Sequence, residues 1–540
     1  MAEYIVTVKK GINWEELHSE LKNDTSADSS VDSSIIPDRE VPVVKERPIN
    51  PRNTHYDLTD NEAESLRNDS RVVAVTKFSD ITKPVRNLIM DGDFNKSTTD
   101  DGQQDNWGLL RHISKTNNYG TSTSDPGGTY DYVLDGTGVD VVIIDDGIQP
   151  DHPEWEDKNG TTRLKQINWF TASGVSGTMP ANHYTASSTD FHGTHVTGTV
   201  AGKTFGWAKN SDIYFINYLS STNDIGNVDT VWDVLLGWHN NKGTGRPTVV
   251  NMSFGFGWFI NESTTPHKVQ DTEDGSGSNY NIVGGRYRGT TNSDTTRQTS
   301  KGQLGQYRGS NVYMFPRRYA SVDADIESLL SAGIHIVVSA GNDQMKIDKN
   351  GGADFDNYIE FDYAGGGGGY AWYHRGGSPS GYECGDTVTL DTSAPTIDDN
   401  GGFQVGALDV TPHNSTTERK VNFSESGPGV DIYAAGTRIS SAWETSGGET
   451  YYHNSSFKQD KISGTSMASP QIAGMIACLL QAHPDWTPLQ IKNYLIDNSQ
   501  ATIRNTGSNN DYTDLNSIHG GTNRVAYFPM SGSKPYNYGG

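Results

Sequence analysis

Residues 139–147 read VDVVIIDDG. Apart from Asp140, the run Val139–Ile144 is entirely β-branched. It shows no polar–apolar alternation, which suits a strand buried on both faces rather than one with a wet side. Strands of that kind belong to parallel sheets covered by helices. Asp145 then stands at the end of the buried strand, where such sheets collect their ligands.

The segments around this strand keep the same rhythm. His192–Gly202 opens a helix of small residues, Ile213–Leu219 reads as a strand and Val228–His239 as a helix. Thr248–Met252 is a strand, Val322–Ser331 a helix stopped by Gly333, and Ile334–Ala340 a strand. Met467–Gln481 is apolar nearly all round and should be central. Thr487-Pro488-Leu489-Gln490 opens a last helix with an N-cap, a first-turn proline and a capping-box glutamine. Strands alternating with helices predict an α/β fold, an open and mostly parallel sheet with helices on both faces.

Residues 1–80 have a different character and read as a small α+β unit. Tyr4–Val8 and Arg71–Phe78 are strands, and helices begin near Asn13 and Asp60. Residues 24–52, rich in Ser, Asp and Pro, read as a flexible loop. Residues 81–106 lose periodicity and form a linker, so the larger domain spans 107–540. Two stretches within it, about 256–320 and 343–400, are polar and glycine-rich and read as long inserted loops.

Composition narrows the function. The chain has 540 residues and a formal net charge of −24, which argues against a nucleic-acid partner, since that needs a basic face. Its two cysteines, Cys384 and Cys478, make no disulfide framework, and Cys478 reads as a small buried hydrophobe. No stretch is long and apolar enough to cross a membrane. The N-terminal apolar run is short and followed by Lys9 and Lys10, unlike a secretory signal, so the expected location is cytoplasmic or on a virus particle, with secretion by another route left open.

Three short motifs carry the chemistry: IIDDG ends a strand with Asp145, HGTHVTGTVAG starts a helix with His192, and SGTSMASP sets Ser466 at the start of the central helix. A serine hydroxyl becomes a nucleophile when an imidazole takes its proton, and the imidazole needs a carboxylate to fix its tautomer. The oxyanion that follows needs fixed donors, and SAGND ends another strand with Asn342, whose amide can donate. A serine at a helix start also suits N-capping, and that reading stands beside the nucleophilic one. His195 reads as a core hydrogen-bonding residue, His152 as a surface loop residue, Asp146 as a turn or surface carboxylate, and Asp190 as a solvated loop charge.

The order Asp, His, Ser and the four motifs together resemble the subtilisin-like serine proteases, the subtilase family, over about Trp107 to Asn498. The motif detail is similar to the proteinase K branch and, in its DDG, to the kexin branch. The resemblance implies a serine endopeptidase in which Asp145 orients, His192 is the base, Ser466 attacks and Asn342 stabilises the oxyanion. It implies that Ser253, Phe254 and Gly255, in VVNMSFG, and Ala340 and Gly341 flank a polypeptide substrate as an added strand. It implies that residues 1–80 are similar to an inhibitory propeptide, cut off within the linker by the enzyme itself. No cofactor is implied for the chemistry, and Asp431 resembles a ligand of a structural calcium site. The other reading is a catalytically silent or particle-associated protein of the same fold, kept for structure or binding.

Overall fold

The computed structural model describes residues 1–22, 36, 39–47, 49–81, 85–86, 106–117, 130, 132–179, 192–219, 230–293, 295, 306–309, 311–362, 368–377, 379, 401–414, 416–445, 447–509 and 514–529. Its centre is a seven-stranded sheet. In spatial order the strands are Ile432–Ala435, Phe403–Leu408, His335–Ser339, Thr248–Met252, Asp140–Asp145, Asp212–Asn217 and Leu164–Lys165. Every neighbouring pair is parallel.

Asp140–Asp145 is buried along its whole length and lies between Thr248–Met252 and Asp212–Asn217. Alternate side chains enter opposite cores, as the two-residue period of a strand requires. Val141 and Ile143 join Val196, Val200 and Met467, from the helices His192–Ala201 and Thr465–Ala482. Val142 and Ile144 join Val231, Leu235, Ile326 and Leu329, from Thr230–Asn241 and Ala320–Ser331. The expected α/β sheet with helices on both faces is therefore the observed one. The Thr487 capping box is also present, with Gln490 bonded back to the Thr487 N–H at 2.8 Å.

The N-terminal unit has its own core around Tyr4, Val6, Leu17, Tyr56, Leu66 and Val75. Its antiparallel sheet runs Val43–Lys45, Asn53–Leu58, Ala2–Val8, Val72–Lys77, flanked by the helices Trp14–Lys22 and Asp60–Arg67. Two of these strands correct the sequence reading. Val43–Lys45 lies in the stretch read as a flexible loop, and Asn53–Leu58 was not foreseen. The reason is tertiary: polar residues there are buried because the other domain supplies their partners. Asn53 Nδ2 donates to the Ser321 carbonyl at 2.8 Å and to Asp325 Oδ1 at 2.9 Å. The fully buried Arg47 guanidinium lies between Asp233 and Asp325, with four contacts of 3.0–3.1 Å, and Asn50 joins Asp233 at 3.0 Å.

A second correction concerns the inserted loops. Their described residues build an antiparallel sheet in the order Gln306–Gly309, Val312–Arg317, Phe254–Asn261, Lys268–Gln270, Asn279–Tyr287, Tyr358–Asp362 and Gly368–Trp372. Trp258, Ile260, Val269, Ile282, Phe315 and Phe361 form its separate core. Glycines interleaved in FGFGWFIN hid the alternation of Phe254, Phe256, Trp258 and Ile260. Of the linker between the two domains, residues 82–84 and 87–105 lie outside the described residues. Val85–Arg86 forms a short strand antiparallel to the start of Phe254–Asn261, with Arg86 opposite Phe254 and Val85 opposite Gly255.

Candidate active site

Asp145, at the carboxyl end of the central strand, is fully buried. Its Oδ1 accepts from His192 Nδ1 at 2.8 Å and from the Asp146 N–H at 2.9 Å. A carboxylate only accepts, so Nδ1 of His192 carries the proton and Nε2 of the neutral ring is left with its lone pair. That Nε2 is buried and has no hydrogen-bond partner among the described residues.

Asp146 corrects an expectation. It is not a surface carboxylate but fully buried, and its Oδ1 accepts from the Gly193 N–H at 2.8 Å. The two consecutive aspartates thus tie the strand end to the first turn of the His192 helix, one through a ring and one through the backbone. Asp145, Asp146 and His192 each place one ligand-type atom within 4.8 Å of the others. Those groups already bond to one another and to Gly193, which accounts for the clustering without a metal.

Ser466 is the second residue of the helix Thr465–Ala482, and the N-cap is Gly464, which makes no side-chain cap bond. The capping explanation for Ser466 therefore falls. Its Oγ donates to the Ser253 carbonyl at 2.9 Å, and Ser253 Oγ donates to the Ser466 carbonyl at 2.9 Å. Asn251 Nδ2 steadies Ser253 Oγ at 2.8 Å. This exchange locks the helix start to the strand end that leads into Phe254 and Gly255.

Asn342 follows the strand His335–Ser339. Its Oδ1 accepts from the Thr465 N–H at 3.0 Å and from Thr465 Oγ1 at 2.9 Å. With the carbonyl end held on one side, Nδ2 is left buried without a partner among the described residues. Thr465 also accepts from the Gly341 N–H at 3.2 Å, and Ala340 N–H donates to Val405 at 2.9 Å. Gly341 has φ +117°, and a Cβ there would fall 2.7 Å from the Glu425 carboxyl. The role of Thr465 in holding the amide was not anticipated, although the residue stands inside the serine motif.

The remaining candidates divide. His195 is buried and donates from Nε2 to the Ile439 carbonyl at 2.8 Å, and burial pulls its pKa down to about 3. His152 is not a surface residue: it is buried, accepts from the Glu154 N–H at 3.1 Å, donates to the Lys458 carbonyl at 2.9 Å, and is lowered in pKa by burial. Asp190 and Cys384 lie outside the described residues, and Cys478 is a buried free thiol whose pKa burial raises. Asp431 does not fit a calcium ligand. Its Oδ1 is 3.0 Å from the buried Lys492 ammonium and its Oδ2 accepts from the Gln404 N–H at 2.8 Å, so a cation of the chain's own occupies the position.

Asp145 pairs with His192, while Ser466 bonds to Ser253 after the neighbouring strand and not to His192 Nε2. Residues 136–520 match the subtilase family, Peptidase S8. The chain belongs to the subtilase family. It is 25% identical over 487 residues to the subtilisin-like serine protease Cur l 4.0101 of Cochliobolus lunatus, covering 85% of this chain and 68% of that one. Against alkaline protease 2 of Aspergillus fumigatus the identity is 24% over 432 residues, covering 76% and 62%. The subtilase spans 47% of a third relative, the subtilisin-like proteinase Spm1 of Pyricularia oryzae, at 27% identity over 70% of its own length. Among solved structures, fervidolysin from Fervidobacterium pennivorans aligns with a TM-score of 0.48 and 18% identity, over 98% of this chain and 60% of that one.

Proposed function

We propose that this subtilase is a serine endopeptidase acting on polypeptides. The observation that carries this reading is the His192 ring, with Nδ1 bonded to Asp145 at 2.8 Å and Nε2 open. In this reading Ser466 Oγ turns from the Ser253 carbonyl and gives its proton to Nε2 as it attacks the peptide carbonyl. Asp145 holds the tautomer and stabilises the imidazolium. Asn342 Nδ2 donates to the oxygen that becomes negative, and its fixed Oδ1 means little reorganisation is needed at that moment. Ser253–Gly255 and Ala340–Gly341 border the substrate backbone.

We further propose that residues 1–80 inhibit the enzyme until the linker is cut by Ser466. Two observations support it. Arg47, Asn50 and Asn53 dock that unit on two helices of the larger domain. The pairing of Val85–Arg86 with Phe254–Gly255 occupies the strand proposed for substrate, and its antiparallel direction leads from Arg86 toward Ser253, whose carbonyl holds Ser466 Oγ. Labelling with a fluorophosphonate tests the core of the reading. The wild-type chain, once matured, should react and the Ser466→Ala chain should not; a matured wild-type chain that stays unlabelled refutes the assignment.

A further inference from the structure

Glu425 stands on the connection between the strands Phe403–Leu408 and Ile432–Ala435, beside the segment that carries Asn342. Its backbone N–H donates to the Gly341 carbonyl at 3.1 Å. Its side chain lies where a side chain on Gly341 would have to go, so the absent Cβ and the carboxyl fill one space. Glu425 is 0% exposed, and neither carboxyl oxygen has a hydrogen-bond partner among the described residues.

Two other charged groups act on it among the described residues. Asp343, on the Gly341–Gln344 segment, is 2% exposed. Lys420, on Glu425's own connection, is fully buried, but its ammonium donates to the carbonyls of Val421 at 3.2 Å and Ser424 at 3.1 Å. A carboxylate buried without a hydrogen-bond partner is strongly disfavoured, and the neutral acid is the form that burial tolerates. Burial, and after it the Asp343 carboxylate, raise the Glu425 pKa well above the usual range, with Lys420 opposing.

We propose that Glu425 is a positioning residue of the oxyanion site: as a neutral acid it packs against Gly341 and fixes the strand that aims Asn342, and its ionisation sets the alkaline limit of peptide cleavage. This rests on the roles given above to Ser466 and Asn342. The physical cause is charge. Negative charge develops on the substrate oxygen only in the transition state, and a second negative charge behind the adjacent residue, in a medium that screens poorly, opposes it. The penalty therefore falls on kcat and leaves KM unchanged.

The test is the pH dependence of kcat and KM for matured wild type, Glu425→Gln and Lys420→Met on a peptide substrate. Gln imitates the neutral acid in shape, so near pH 7 the Glu425→Gln enzyme should keep kcat within a factor of about three of wild type. At alkaline pH wild-type kcat should fall while that of Glu425→Gln stays level, and KM should match throughout. Removing the cation in Lys420→Met should move the wild-type fall to higher pH. An alkaline fall that persists in Glu425→Gln overturns the proposal, as does one that disappears in Lys420→Met, which would assign it to Lys420. Should Glu425→Gln not fold, an unshifted limb in Lys420→Met overturns it alone. Activity that does not depend on Ser466 would instead refute the catalytic reading.

Discussion

At the scale of single residues, the site divides into groups proposed to react and groups that hold them. Ser466→Ala removes the proposed nucleophile. The expected loss in kcat is on the order of 10⁶, a magnitude carried over from subtilisin itself, measured by hydrolysis of a casein-type substrate. Asn342→Ala should lower kcat by roughly 10²–10³, again as in subtilisin, with KM little changed. An effect confined to KM would make Asn342 a substrate-positioning residue instead. Away from the reaction, Lys492 neutralises Asp431 where a calcium ion was expected. Lys492→Met leaves Asp431 buried without its cation, and the expected loss of stability is about 3–5 kcal/mol. Denaturant unfolding measures it, and a change well under 1 kcal/mol would show that the pair is relieved by other contacts.

At the scale of elements, the two domains meet through side chains that the sequence presents as ordinary loop polars. Arg47 is fully enclosed by Asp233, from the helix Thr230–Asn241, and Asp325, from Ala320–Ser331. Breaking such a group costs far more than a surface pair, because two buried carboxylates lose the cation they share. Arg47→Met, made in the Ser466→Ala chain to prevent self-cleavage, should loosen the N-terminal unit by about 3–5 kcal/mol and expose residues 1–80 to added trypsin at concentrations that spare the parent. Equal resistance in the two chains would mean that the strand contacts alone hold the unit. In the inserted sheet, Phe254, Phe256, Trp258 and Ile260 alternate along their strand, but the glycines between and around them mask that period in the sequence.

At the scale of the whole molecule, one strand edge serves two proposed purposes. Phe254–Gly255 pairs with Val85–Arg86 of the same chain, and an extended substrate would take the same edge. Delivery within one chain keeps the local concentration of the inhibiting segment high until the connection is severed. Incubated wild-type protein should therefore shorten itself, with a new N-terminus a few residues beyond Arg86, while the Ser466→Ala chain keeps its full length. Intact-mass spectrometry reads both. A fully active enzyme still joined to residues 1–80 would show that this unit is not a removable inhibitor.

The sequence alone determined the central parallel sheet with its covering helices and singled out the groups proposed to react. The β-branched run before Asp145, the helix openings at His192 and Thr465, and the strand leading to Asn342 are local patterns, each dictated by side chains within a few residues of one another. Such patterns survive because buried strands and central helices must be apolar wherever they occur. The tertiary structure alone decided which polar residues are buried. Arg47, Asp146 and His152 read as loop or surface residues, and Asn53 and Glu425 carried no local signal, since their partners lie elsewhere in the chain or, for the Glu425 carboxyl, are absent among the described residues. Asp431 read as a metal ligand for the same reason: only the fold brings Lys492 to it. A buried polar group is stable through the contacts that enclose it, and those contacts exist only once the chain has folded.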